Sequence, residues 1–179
     1  MRILITAASS RLSHELAGAL AKSHEVVLTD RRQVSTQYSF TRSDLGHDQS
    51  TNELVRGMDA IIHPGEVAAG DRVSDQLDYL MRCTYNLLWA ASEESVPRLI
   101  YLSTLRVMDR YDEEFVVTEQ WRPVPQLRCQ CFAITWASTC AGSSPAKARS
   151  TAYPSGWAGS CGTTSRRVIS PPPPFIRTT

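Results

Sequence analysis

Polar side chains with the chemistry of a nucleotide site follow short apolar runs of this chain. Asp30 closes the run "EVVLTD", and it comes 24 residues after Thr6, which closes "RILIT". A carboxylate at about that distance beyond a strand, a turn and a helix start has the spacing that binds the ribose hydroxyls of a dinucleotide. Thr104 closes a later run, "LIYLST", and its hydroxyl either contacts a ligand or only satisfies the end of the strand. These residues make dinucleotide binding the first hypothesis.

The identity of the dinucleotide stays open at Asp30. Its negative charge would repel a 2′-phosphate and favour NAD, whereas the neighbouring Arg31 and Arg32 could accommodate NADP. A solvated aspartate at the end of a strand is the alternative interpretation of Asp30.

Short apolar runs alternate with helical patterns through the first two thirds of the chain. Leu12, Leu16 and Leu20 recur every four residues and predict one helix, and residues 73–95 predict a long one. The apolar positions expected to be buried on that long helix are Leu77, Leu80, Met81, Tyr85, Leu88 and Ala91. The five predicted strands are "RILIT", "HEVVLTD", "YSFTRSD", "DAIIHP" and "RLIYLST". This order predicts an α/β fold with a Rossmann-like, doubly wound parallel sheet, incomplete after the fifth strand, whose edge would be exposed.

Five pieces of residues 1–120 together resemble the extended short-chain dehydrogenase/reductase family, the NAD-dependent epimerase/dehydratase group that acts largely on nucleotide sugars. They stand in the order of the family's motifs: "ILITAASSRLSHEL", "SDL" at 43–45, "GMDAIIHPGE", "YNLLWAA" and "LIYLSTLRV". The resemblance implies a Rossmann-like domain over residues 1–127 that binds NAD or NADP, with NAD favoured, and it implies a nucleotide-sugar substrate.

The resemblance also implies the site residues. Thr104 takes the position of the catalytic serine or threonine that contacts the substrate hydroxyl. The implied cofactor-binding residues are Ala7, Ser10, Arg11, Leu12, Ser13, Asp30, Asp44, Leu45, His63, Pro64, Gly65 and Ser103. His63 has no catalytic role in this scheme, because its position contacts the cofactor through the backbone.

The chain departs from the family pattern at both functional motifs. Ala7, Ser10 and Ser13 stand where the pattern TGxxGxxG has glycines, which allow a tight turn and close approach to a diphosphate. We therefore expect cofactor binding to be weakened rather than abolished. The catalytic Tyr-x-x-x-Lys pair is missing, because no tyrosine lies four residues before Lys22 or Lys147, the only two lysines. The family's proton transfer is not expected from this chain.

The composition changes sharply after residue 127. Residues 1–127 hold 13 basic and 18 acidic residues, a net charge of −5, whereas residues 128–179 hold six basic residues, no acid and four of the five cysteines. No periodicity is evident there, so the segment is predicted to be an irregular or disordered basic tail. Its richness in Ala, Ser, Pro, Arg and Cys suggests the translation of a GC-rich gene out of frame, after a frameshift near residue 127.

Several function classes are disfavoured by the composition. The net charge of +1 points to no particular partner, and no apolar run approaches the length needed to cross a bilayer, so a cytoplasmic location is expected. Cys129 and Cys131 lack the further ligands of a zinc site. The alternative functions are a non-catalytic scaffold that binds nucleotides or a partner and, less favoured, a nucleic-acid-associated protein that acts through its basic tail.

Overall fold

The computed structural model describes residues 1–66, 71–109, 111–112, 114–116, 118, 121, 129–143 and 149–153. Its strands form one sheet in the order β3-β2-β1-β4-β5-β6, and every neighbouring pair is parallel. The strands are β1 (Arg2–Ile5), β2 (Glu25–Asp30), β3 (Ser39–Arg42), β4 (Ala60–Pro64), β5 (Leu99–Thr104) and β6 (Arg149–Tyr153). The prediction of a Rossmann-like parallel sheet is confirmed, and β1 to β5 coincide with the five predicted strands to within a few residues.

The strand order reverses between β1 and β4. The chain runs outward from β1 to β2 and β3, and then crosses back to place β4 on the other side of β1. Loops that leave the carboxyl ends of such neighbouring strands diverge to opposite faces of the sheet, which opens a crevice between them. A ligand site is therefore expected at the loops that follow β1, β2 and β4.

The helices connect the strands as crossovers. They are α1 (Arg11–Leu20), α2 (Gln49–Val55), α3 (Val73–Leu77), a π-helical turn (Asp78–Cys83) that continues directly into α4 (Thr84–Glu93), and α5 (Cys129–Ser143), with a 3-10 turn (Leu105–Met108) after β5. No helix among the described residues is long and apolar enough to cross a membrane.

The long predicted helix differs from expectation at its centre. Leu80, Leu88 and Ala91 are buried as predicted and Leu77 and Met81 are partly buried, but the expectation for Tyr85 is wrong, since it is 46% exposed. A π-helical turn, which takes about one residue more than an α-helical turn, precedes this position. Asn86, which is 5% exposed, is buried in place of Tyr85.

Two apolar layers enclose the sheet, because successive strand residues face opposite sides. Ile3 and Ile5 of β1 pack with Ala17 of α1 on one face. Leu4 of β1 lies on the other face, in a larger cluster with residues of α2, the π-helical turn, α4 and α5, such as Leu80. This second layer carries most of the core and fixes the π-helical turn against the sheet.

The segment after residue 127 contains two elements that its sequence did not indicate. β6 pairs with β5 in parallel register, so the expectation that β5 forms an exposed edge is wrong. In α5 the small side chains of Ala133 and Ala137, one helical turn apart, are fully buried against the core. Alanines at this spacing allow close packing without a strong amphipathic pattern, which explains why the helix escaped prediction. Residues 128, 144–148 and 154–179 of this segment lie outside the described part.

Candidate functional site

A cleft opens at the carboxyl ends of β1, β2 and β4. The residues that line it are Ala7, Ser9, Asp30, Arg31, Arg32, Glu66, Asp71 and Tyr79. Three of its walls are the loop Thr6–Ser10 between β1 and α1, the residues at the end of β2, and the residues that follow β4. This is the crevice that the strand order creates.

The loop between β1 and α1 keeps the turn of a glycine-rich loop without its glycines. Ala7, at the first glycine position, has a φ of 52°, a left-handed conformation that costs a residue with a side chain about 1–2 kcal/mol. The N–H of Ser10 donates to the carbonyl of Ala7 over 2.8 Å and closes the turn. The loop shape is therefore held in spite of the substituted side chain.

Serines stand at the other two glycine positions, and both of their hydroxyls form hydrogen bonds. Ser10 is the N-cap of α1, and its hydroxyl accepts from the N–H of Leu12 over 3.1 Å. Ser13 is fully buried, and its hydroxyl donates to the carbonyl of Thr6 over 2.8 Å, which ties helix to strand where glycine would allow close packing. Arg11, in contrast, is 92% exposed and pairs with Glu15. It takes no part in the cleft.

Asp30 connects two walls of the cleft. One carboxylate oxygen accepts from the N–H and the hydroxyl of Ser9, each over 2.8 Å, and the other accepts from the N–H of Arg32 over 2.9 Å. A carboxylate held in this way can accept hydrogen bonds from a pair of ribose hydroxyls. In this structure the Ser9 hydroxyl already donates to one of these two carboxylate oxygens.

The two arginines after Asp30 are engaged by acids from the opposite wall. Arg31 lies 3.5 Å from Asp78 and 3.9 Å from Asp71, and Arg32 pairs with the same Asp71. The guanidinium of Arg31 also lies over the ring of Tyr79, at 5.4 Å from its centroid. Both cations are thus compensated by carboxylates of this chain.

The carboxylate of Asp78 is held in its charged form. A side-chain hydrogen bond from Arg82, on the same π-helical turn, lowers the pKa of Asp78, and the charge of Arg31 acts in the same direction. Asp78 therefore stays available as a partner for Arg31.

A buried polar network lies beneath the cleft. His63 is fully buried, with Nδ1 2.6 Å from the Thr6 hydroxyl and Nε2 2.9 Å from the Thr84 hydroxyl. The Thr6 hydroxyl also lies 3.3 Å from the hydroxyl of Tyr79. Burial lowers the pKa of His63 to about 3, so the imidazole is neutral, and burial also raises the pKa of Tyr79. The network fixes β1, β4 and the π-helical turn to one another.

The residues after β4 come close to β5. The N–H of Gly65 donates to the carbonyl of Leu102 over 2.9 Å. A methyl group at Gly65 would lie 2.9 Å from the Cζ of Tyr101 and 3.0 Å from the Leu102 carbonyl oxygen, so a side chain does not fit. Tyr101 is fully buried, and its hydroxyl has no partner among the described residues. Pro64 precedes this contact, and its carbonyl accepts from Tyr79 over 3.4 Å.

Other candidate residues lie outside the cleft lining. The Thr104 hydroxyl accepts from the N–H of Arg106 over 3.3 Å and caps the 3-10 turn, and the hydroxyl of Ser103 lies 2.8 Å from that of Ser138 on α5. Both stand at the carboxyl end of β5, on the same edge of the sheet as the cleft.

Asp44 and Leu45 lie against the π-helical turn and α4. The carbonyl of Asp44 accepts from the thiol of Cys83 over 3.3 Å, and the carbonyl of Leu45 accepts from the amide of Asn86 over 2.9 Å. Leu45 is buried, with a φ of 50°. The structure thus brings together Ala7, Asp30 and their neighbours, but not these two residues.

Sequence analysis missed four residues of this site. Glu66, Asp71 and Tyr79 line the cleft, and Asp78 pairs with Arg31. Glu66 follows directly on the motif residue Gly65, which was the one available signal. The two aspartates and the tyrosine lie beyond any motif, and only the fold brings them to Arg31. No cluster of side chains suited to a metal ion occurs among the described residues.

Residues 3–133 match the family described as the NAD dependent epimerase/dehydratase family. This stretch contains every described residue of the cleft. No curated protein matches the sequence at a significant level.

Solved structures share the fold of the chain at low sequence identity. An Agrobacterium tumefaciens short-chain dehydrogenase/reductase superfamily protein with bound NAD is 21% identical, with a TM-score of 0.70 over 84% of this chain and 48% of its own. The Bordetella bronchiseptica enzyme WbmH in complex with NAD⁺ is 16% identical, with a TM-score of 0.71 over 84% and 55%. UDP-N-acetylglucosamine 4-epimerase from Bacillus cereus is 18% identical, with a TM-score of 0.64 over 78% and 49%. The chain therefore spans about half the length of these structures.

Proposed function

The chain belongs to the NAD dependent epimerase/dehydratase family, and from that premise we propose that it binds NAD(H) in the cleft at the carboxyl ends of β1, β2 and β4. The observation that carries the proposal is Asp30, whose carboxylate stands at the end of β2 and bonds across the cleft to the loop that begins α1. In a doubly wound sheet this is the position from which an acid holds a ribose.

The residues present fit the nucleoside part of the cofactor. Asp30 would hold the adenosine ribose, and the backbone N–H groups at the start of α1 would face the diphosphate. Gly65 would contribute only its backbone, because Tyr101 and the Leu102 carbonyl fill the space of a side chain there. When bound, a nicotinamide supplies a hydride acceptor or donor, and the protein supplies its orientation.

NAD rather than NADP is favoured by the charges around Asp30. A 2′-phosphate needs a free cation, but Arg31 and Arg32 are both engaged by Asp71, and Arg31 also by Asp78. Asp30 adds a further negative charge where that phosphate would lie. The cleft thus disfavours the additional anion.

We expect the affinity to be lower than that of a site with a glycine-rich loop. The side chain of Ser10 occupies space that the second glycine of the motif leaves to the diphosphate. Ala7 already adopts the required left-handed turn, so binding is reduced rather than lost.

A nucleotide sugar is the proposed class of bound substrate, with Thr104 beside one of its hydroxyls, on the basis of family membership. Neither lysine of the chain follows a tyrosine by four residues. A tyrosine with an ordinary pKa near 10 is a weak acid–base catalyst at neutral pH. We therefore propose that the chain binds the cofactor without turning over substrate, and turnover by the purified chain would contradict this.

The domain boundary at residue 127 and the out-of-frame origin of residues 128–179 are part of the proposal, and so is a cytoplasmic location. The change in charge supports the boundary, because acids end at Glu119. It is a boundary of composition, since α5 and β6 beyond it pack against the core and pair with β5. Sequencing the gene through the codons for residues 120–179 tests the frameshift, and an intact frame shared by close relatives would refute it.

Titration of the purified chain with NADH and NADPH tests the binding proposal. We expect NADH to bind and NADPH to bind more weakly. Asp30→Asn should lower the affinity for NADH about tenfold, because hydrogen bonds to a charged carboxylate are stronger than those to a neutral amide oxygen. Glu53→Gln, which removes an exposed acid on α2, is the charge-matched control. Absence of binding at millimolar NADH, or an unchanged affinity of Asp30→Asn, would contradict the proposal.

The proposed preference for NAD has its own test. Asp71→Asn combined with Asp78→Asn should free Arg31 and Arg32, and it should shift the ratio of NADPH to NADH affinity toward NADPH by about fivefold. An unchanged ratio would refute the role assigned to the two acids.

A further inference from the structure

We propose that Glu66 is an internal anion at the start of α1 that competes with the diphosphate of the dinucleotide, so that binding is weak and becomes stronger as salt is added. The inference rests on the proposed function, because it concerns the same cleft. It assigns to Glu66 a selectivity against phosphorylated ligands.

The geometry places the carboxylate of Glu66 on the helix cap. Ser10 is the N-cap of α1, with its hydroxyl 3.1 Å from the N–H of Leu12. The same hydroxyl donates to Oε2 of Glu66, which lies on the loop after β4 and is half-buried. One hydroxyl thus links the first turn of α1 to a negative charge from the opposite wall.

The start of a helix favours an anion, because its unpaired N–H groups and its dipole present partial positive charge. In a dinucleotide site the ligand's diphosphate takes that place. Here the carboxylate of Glu66 lies beside that place, because it accepts from the hydroxyl of the N-cap residue Ser10. Among the described residues, Glu66 forms no ion pair that would neutralise its charge.

The rest of the cleft does not offset this charge. Asp30 and Asp71 also line it, and its two cations, Arg31 and Arg32, are engaged by acids. A diphosphate that enters meets a net negative wall, and dissolved salt screens that repulsion over a Debye length of about 8–10 Å. The salt effect is therefore opposite in sign to that of a basic phosphate site.

Ser10 makes the arrangement possible. It stands at the second position where the family pattern has glycine, and a glycine would offer no hydroxyl to Glu66. The serine at the glycine position and the acid after Gly65 thus act together: the first takes space from the diphosphate, and the second places a negative charge beside its site.

The test compares Glu66→Gln with the wild-type chain and with Glu15→Gln. Glu15 is an exposed acid on the same helix, paired with Arg11, so its substitution changes the net charge equally. Affinities for NADH and for adenosine, which carries no phosphate, are measured by calorimetry at about 50 and about 300 mM NaCl. Circular dichroism confirms that each variant is folded.

We expect Glu66→Gln to bind NADH about tenfold more tightly at low salt, whereas Glu15→Gln stays within about twofold of wild type. Adenosine affinity should be the same in all three proteins. The wild-type affinity for NADH should rise with salt, and that of Glu66→Gln should not.

Other results overturn the inference in distinguishable ways. If the wild-type chain binds NADH and Glu66→Gln binds it equally, the inference fails and the proposed function stands. If Glu66→Gln raises the affinity for adenosine as much as that for NADH, the effect is not repulsion of the diphosphate and the inference fails. It also fails if Glu15→Gln raises the affinity for NADH as much as Glu66→Gln does, because the effect is then not local. If neither the wild-type chain nor Glu66→Gln binds millimolar NADH, the proposed function and the inference fail together.

Discussion

Ser9 donates its backbone N–H and its hydroxyl to the same carboxylate oxygen of Asp30, each over 2.8 Å. The hydroxyl does for Asp30 what a ribose hydroxyl would do. A ligand must therefore displace a contact within the protein before it gains its own, which reduces the net energy of each new hydrogen bond.

Replacement of Ser9 by alanine should improve dinucleotide binding. Ser9→Ala keeps the backbone N–H contact but frees one acceptor site on Asp30 for the ribose, and we expect an increase in NADH affinity of about threefold. The measurement is a calorimetric titration. Ser50→Ala is the matched control, because Ser50 makes the same pair of contacts with Asp48 at the start of α2, away from the cleft. An equal increase in NADH affinity in both variants would show that competition between Ser9 and the ribose for Asp30 is not the cause.

Replacement of Ala7 by glycine should stabilise the fold. The left-handed φ of 52° costs alanine about 1–2 kcal/mol, which glycine avoids. The greater freedom of glycine in the unfolded chain offsets about 0.4–1 kcal/mol of this gain in stability. We expect the free energy of unfolding to rise by about 0.5–1 kcal/mol in urea titrations. Ala19→Gly, at an exposed helical position of α1, should lower it by about 1 kcal/mol. A loss of stability in Ala7→Gly would show that the turn is not strained.

The buried His63 should make the fold sensitive to mild acid. Its pKa of about 3 in the folded protein lies below its usual value near 6.5, so the unfolded chain binds a proton that the folded one excludes. The stability from this group is complete above about pH 6.5 and falls as the pH decreases toward 3, by up to about 1.4 kcal/mol for each pH unit.

Unfolding in urea between about pH 7.5 and 5 measures this loss before most carboxylates titrate. We expect His63→Gln to reduce the slope of the free energy of unfolding against pH. The variant should also be less stable overall, because it disturbs the contacts with Thr6 and Thr84. His14→Gln, on α1, should keep the wild-type slope. A slope that survives in His63→Gln would assign the acid sensitivity to other groups.

Gly65 and Tyr101 should be coupled in a double-mutant cycle. Gly65→Ala introduces a methyl group against the Tyr101 ring and the Leu102 carbonyl, and it should cost about 1–3 kcal/mol of stability. Tyr101→Phe removes a buried hydroxyl that has no partner among the described residues, so it should be neutral or stabilising by about 1 kcal/mol. The double variant should recover part of the loss, as measured by thermal unfolding. Strict additivity would contradict the contact.

The sequence predicted those features that follow from local pattern. The five strands carry β-branched apolar runs that end at polar residues, so β1 to β5 could be located and Asp30 placed at a strand end. The shape of the β1–α1 turn was also predictable, because Ala7 follows an apolar strand and Ser10 precedes a helical pattern.

Features that depend on long-range contacts escaped prediction. Asp71 and Asp78 pair with Arg31 only because the crossover after β4 returns to it, some forty residues later in the chain. No periodicity marks such an ion pair. Tyr85 was missed for a similar reason, since an apolar pattern does not mark its polar neighbour Asn86 as buried. The amide of Asn86 donates to the carbonyl of Leu45, which is again a long-range contact.

The π-helical turn also makes one part of the chain unusually tolerant of a change in length. It holds one surplus residue, so a deletion within Asp78–Cys83 could be absorbed by conversion to regular α-helix, with the flanking segments kept in phase. The same deletion inside α4 would turn the residues on one side of it by about 100° and separate Asn86 from Leu45. Single-residue deletions among natural variants of this helix are thus expected to concentrate in that one turn.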